Sequence, residues 1–104
     1  MTTAYLIETC DPLDPGAGGV LAALDAGELA AFLARNIEHE HYSGDGYAVT
    51  RLFRYADGAL TPLAVHQTGS TADSDDYLHW TYEVRPDGRT APDVTFTVRI
   101  DGRA

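Results

Sequence analysis

No lysine occurs in this chain, and all seven of its basic residues are arginines. Without flexible ammonium groups the chain has no basic footprint for a phosphate backbone, which argues against direct binding of DNA or RNA. A single cysteine, Cys10, excludes an intramolecular disulfide, and no flanking residue marks its thiol as a nucleophile, so core filling is the expected role. No apolar run reaches 18 residues, so no segment reads as a membrane-spanning helix. The opening Met1-Thr2-Thr3-Ala4-Tyr5-Leu6-Ile7-Glu8 carries no basic region and only a brief apolar stretch, which is not the pattern of a signal peptide. A cytoplasmic location is the expectation.

Absent motifs narrow the chemistry in the same way. The glycines of Gly16-Ala17-Gly18-Gly19 lack the lysine and the following helix of a phosphate loop. Ser43, Ser70 and Ser74 fall in expected loops without the strand-turn-helix setting of an activated serine. No cofactor motif is present, and nothing singles out a carboxylate pair for acid–base work. Catalysis is unsupported, and a non-enzymatic role is favoured.

What the chain does have is acid. Sixteen Asp and Glu against seven bases give a formal net charge of −9 over 104 residues. Hydrophobic residues make up 44%, enough for one core, so a single domain spanning residues 1–104 is expected. The absence of lysine beside abundant Ala, Gly, Asp and Arg also fits a high-GC coding bias of bacterial or phage origin. The charge favours a basic partner and repels anionic membranes. Acidity of this size is a common solubility feature, which outweighs mimicry of nucleic acid.

Period-2 alternation is clearest near the end. Leu78, Trp80, Tyr82 and Val84 alternate with His79, Thr81, Glu83 and Arg85, and Val94, Phe96, Val98 and Ile100 alternate with Thr95, Thr97, Arg99 and Asp101. These two strands should pair as a hairpin across Pro86-Asp87-Gly88-Arg89. A second hairpin is expected from Ala48–Tyr55, the turn Asp57-Gly58 and a return strand over Ala59–Gln67, with a bulge or an edge position at Pro62. Gly69 to Asp76 reads as a polar loop. Asp25 with Glu28 forms a capping box, Leu24 and Leu29 form a staple, and Leu29, Phe32, Leu33 and Ile37 recur at helical spacing, which predicts a helix over about Ala26–Glu38. Ala4–Cys10 and Val20–Leu24 read as strands on either side of a turn-rich loop. The predicted fold is α+β in the order β-β-α-β-β-β-β. One helix lies on one face of a largely antiparallel sheet of about five to six strands, and the opposite face meets water.

Three groups of residues are candidates for function. Asp45, Tyr47, Asp73, Asp75, Asp76 and Tyr77 place exposed tyrosines among loop acids, a composition suited to receiving a basic protein surface. His79, Glu83 and Arg99 on the polar sheet face are the alternative, a small-molecule or metal-binding site or a minor enzyme. His39 and His41 in Glu38-His39-Glu40-His41 are weak metal candidates, because residues two apart on a helix point to different faces. Asp73, Asp75 and Asp76 lack the glycine and the twelfth-position glutamate of a calcium loop. The favoured expectation is a small acidic binding module of inhibitor, immunity or accessory type, an analogy of size and charge alone. A third reading gives the open sheet face to homodimerisation.

Overall fold

The computed structural model describes residues 3–10, 20–44, 46, 48–88 and 91–102. Strand β1 (Ala4–Cys10) is followed by β2 (Val20–Leu24) and by helix α1 (Ala26–Ser43). Five strands complete the chain: β3 (Ala48–Ala56), β4 (Ala59–Pro62), β5 (Ala64–Ala72), β6 (Tyr77–Arg85) and β7 (Val94–Asp101). All strand pairs are antiparallel. The fold is therefore α+β, with one helix packed against antiparallel sheet in the expected order.

The expected single sheet is divided in two. One sheet has the order β2-β1-β3-β4 and the other β5-β6-β7. The division falls where the return strand passes Pro62. Proline has no N–H to donate and closes β4 on the edge of the first sheet. Leu63 then turns inward, buried, and its N–H donates to the Leu52 carbonyl at 2.8 Å. From Ala64 the same run of chain begins the second sheet. It continues to Ala72, past the expected end at Gln67, with a register shift between Gln67 and Gly69. The glycine, serine and threonines that read as loop form an exposed edge strand.

Both hairpin and helix starts are built as their residues dictate. Asp57 and Gly58 take φ of 53° and 77°, the doubly left-handed turn that a two-residue hairpin requires. Asp25 Oδ1 accepts the Glu28 N–H at 2.7 Å, and the Asp25 N–H donates to Glu28 Oε1 at 3.0 Å. The helix runs five residues beyond Glu38, to a left-handed Gly44 with φ of 73° whose N–H donates to the Glu40 carbonyl at 2.9 Å. Glycine is needed there because the left-handed cap penalises a Cβ.

One core joins the two sheets. Leu29 and Leu33 of α1 pack with Tyr5, Ile7 and Leu52 from the first sheet and with Val84 and Val94 from the second. The helix lies mainly along β7, over Val98 and Ile100, with lighter contact to β1 and β2. A polar clasp adds to the apolar joint. Arg54 Nη1 donates to both Asp93 carboxylate oxygens at 2.6 Å, bridging β3 to the residue before β7. The Tyr5 hydroxyl donates to the same carboxylate at 3.3 Å. Burial, and after it the Asp93 charge, raises the Tyr5 pKa, so the phenol stays a donor. No helix among the described residues is long and apolar enough to cross a membrane.

Candidate binding surface

Asp73 follows β5 and organises the turn into β6. Its Oδ1 accepts the N–H of Asp75 at 2.8 Å and of Tyr77 at 3.2 Å, the side-chain bracing for which aspartate is favoured in turns. Its N–H donates to the Tyr77 carbonyl at 2.9 Å, and the Asp76 N–H donates back to the Asp73 carbonyl at 3.3 Å. Asp76 takes φ of 66°, a left-handed conformation that aspartate tolerates better than most residues. Beyond the turn, the Gly102 N–H donates to the Asp76 carbonyl at 3.0 Å. A Cβ on Gly102 would stand 2.7 Å from that oxygen, so the chain packs on the turn with no space for a side chain.

The other oxygen of Asp73 reaches the sheet. Its Oδ2 lies 2.8 Å from His79 Nε2 and 3.4 Å from Arg99 Nη2. The Arg99 guanidinium in turn lies 3.7 Å from the centroid of the Tyr77 ring, a stacked cation. The His79 hydrogen bond above all, with those from the Asp75 and Tyr77 amides and from Arg99, holds the Asp73 carboxyl down at about 2, against desolvation, which alone would raise it. The Asp75 and Asp76 side chains are exposed and have no side-chain partner among the described residues.

Two groups that the sequence separates therefore meet at Asp73. Asp73, Asp75, Asp76 and Tyr77 sit at one end of the second sheet, with His79 and Arg99 of the polar face drawn into the same cluster. Glu83 stands apart, four residues along β6 from His79, or about 13 Å at strand rise. It pairs with Arg85, Oε2 to Nε, at 3.2 Å. The polar face so divided has no common point on which His79 and Glu83 act together. Beside Glu83 in register is His66, whose Nε2 is buried without a hydrogen-bond partner, 4.0 Å from an Asp87 oxygen. Asp45 and Tyr47 lie outside the described residues.

His39 and His41 diverge around α1, as their spacing requires. The His41 ring meets Tyr42 and Trp80 edge-on, with centroids at 5.0 and 5.5 Å, while His39 lines a separate hollow with Phe32, Arg35 and Asn36. No group of three or more metal-ligating side chains gathers among the described residues. Two open clefts of about 510 and 470 Å³, one beside His41 and Trp80 and one between β3 and the Pro62–Val65 segment, involve none of His79, Glu83 or Arg99.

Tyr42 lies past the expected helix end at Glu38. It belongs to the last turn of α1, and its hydroxyl accepts the Asp101 N–H at 2.7 Å, tying the helix end to β7 opposite Tyr77. The signal was Gly44, a glycine at a helix end, which marks the stop five residues later than fading apolar periodicity does. Helix end, acidic turn and stacked Arg99–Tyr77 pair thus occupy one end of the second sheet. No family model, curated protein or solved structure matches this chain.

Proposed function

We propose that this chain is a non-enzymatic binding module that engages a basic protein surface through the acidic end of its second sheet. Asp75 and Asp76 supply charge, and Tyr77 and the exposed Tyr42 ring supply apolar contact beside it. The observation that carries this reading is the fourfold engagement of the Asp73 carboxylate by two backbone amides, His79 and Arg99. A turn held in one geometry presents its two outward carboxylates without an ordering cost on binding. His79 and Arg99 are spent on that bracing, which favours binding over acid–base chemistry at the same face.

The test is a tagged capture from a high-GC bacterial lysate at low and moderate salt, with the wild-type chain and an Asp75→Asn, Asp76→Asn variant. The expected result is a stoichiometric basic protein, released by salt, that associates with the variant about 3- to 10-fold more slowly and with a flatter salt dependence. A partner whose salt sensitivity is the same for both chains would overturn the assignment.

A further inference from the structure

Among the described residues, the first sheet leaves an apolar face with nothing over it. Tyr5, Ile7 and Leu52 point into the core, so alternation sends Leu6, Phe53 and Tyr55 to the other side. The register sets Leu6 against Phe53, Phe53 against Pro62, and Tyr55 against Leu60, which makes the patch continuous across three strands. Ala23 of β2 extends it opposite Leu6. Tyr55 is 45% exposed and Leu60 55%, and with Tyr42 they are the large hydrophobic side chains left most open in the described chain.

We propose that this face is covered by a second copy of the same chain, in a twofold dimer that packs β1, β3 and β4 of each copy against each other. Area is the first reason. A monomer of 11.2 kDa ordinarily exposes about 5,700 Å². The whole chain exposes 6417 Å², about 700 Å² more, so it has surface to spare on the order of the roughly 800 Å² that each partner contributes to a stable interface. The radius of gyration agrees, at 14.7 Å against about 13 Å for a chain of this length. One helix has covered one side of the structure, and the shape is a slab 22 Å thick.

Charge identifies the occupant. The chain carries −9, yet the charged groups on this face among the described residues, Glu8 and Arg51, are hydrogen-bonded to each other and cancel. Asp57 lies beyond the patch, in the β3–β4 turn. A basic protein finds no net charge here to attract it, whereas a second copy brings the same neutral apolar patch. Contact about a twofold axis is self-complementary by construction. The patch is distinct from the acidic turn, so its dimer and the capture of a basic partner stand or fall separately.

Sedimentation equilibrium from micromolar to near-millimolar chain decides the matter. The expected species has twice the chain mass. It tightens with added salt, because screening relieves repulsion between two acidic copies, the opposite of the salt response expected at the acidic turn. Leu60→Glu enters a twofold interface twice and should raise the dimer dissociation constant by about 100-fold. Leu60→Ser, which removes apolar area without adding charge, should act in the same direction by a smaller factor. Unchanged far-ultraviolet circular dichroism of both variants separates loss of association from loss of fold. A wild-type chain that remains monomeric throughout, or a dimer that neither substitution weakens, would overturn the proposal.

Discussion

On the first sheet the face turned from the core carries Leu6, Phe53, Tyr55 and Leu60, while the corresponding face of the second carries His79, Thr81, Glu83, Thr95, Thr97 and Arg99. Both sheets are antiparallel, both alternate with period 2, and both lend their inner faces to one core around Leu29 and Leu33. What differs is how each disposes of the face left over. The second sheet solvates its outer face with threonines and internal ion pairs and ends it in a braced acidic turn. Among the described residues the first has only the Glu8–Arg51 pair, at one end, and leaves the rest apolar. A half-covered sheet reads as finished when its outer face is polar and as unfinished when it is not.

That contrast supposes a core common to both sheets, and Leu29 tests it hardest. Its side chain is fully buried between them. Leu29→Ala should cost about 3 kcal/mol. Urea unfolding followed by Trp80 fluorescence in the second sheet and by far-ultraviolet circular dichroism should shift by the same amount and stay in one transition. Two separated transitions would show sheets that fold independently, and the contrast would then be between two units rather than two faces of one.

The Arg54–Asp93 clasp joins the sheets by polar means, and its removal should cost less. Arg54→Ala strands the Asp93 carboxylate, which is nearly buried. The expected loss is about 2 kcal/mol, below that of a deeply buried pair because Arg54 itself is a third exposed. Asp93→Asn, which leaves an amide that can still bond Tyr5 and removes the stranded charge, should recover part of the loss when combined with Arg54→Ala. Equal losses in the single and double variants would mean that the clasp carries packing rather than charge.

Much of this contrast was legible in the residues. The alternation of Tyr77–Arg85 and Val94–Asp101 announces its own two faces, and Asp25 with Glu28 announces the helix start, because both signals are local. The division into two sheets was marked by Pro62 but not decided there. A proline at that position serves an edge, a bulge or a change of sheet equally, and only the burial of Leu63 chooses among them. The strand end at Gly69–Ala72 was masked by residues of low strand propensity whose place is fixed by pairing with β6. The last turn of α1 was hidden because Tyr42 and His41 hold it through β7 and Trp80, contacts that no helical period records. Within the candidate site, each of Asp73, His79 and Arg99 was visible as a residue worth watching. Their convergence was not, since Asp73 and Arg99, 26 positions apart, are brought together only by the β6–β7 register.

The smallest expected effect is also the most selective between the two faces. Asp73 has its carboxyl lowered from an ordinary value of 3.8 to about 2, so the folded chain binds that proton less readily than the unfolded one. The resulting stabilisation is complete above about pH 4 and is lost as pH falls through 2. Acid titration by two-dimensional NMR should therefore disturb the amides of Asp75, Tyr77 and Gly102 in that window, before those of Leu6 and Phe53 on the apolar face. Asp73→Asn keeps an acceptor for the two backbone amides and removes the titrating charge. It should abolish the acid response of the turn while leaving the fold and the first sheet unchanged. If the turn amides still move between pH 4 and 2 in that variant, the bracing belongs to another carboxylate. If Leu6 and Phe53 move with them, the two faces are coupled more tightly than a shared core alone requires.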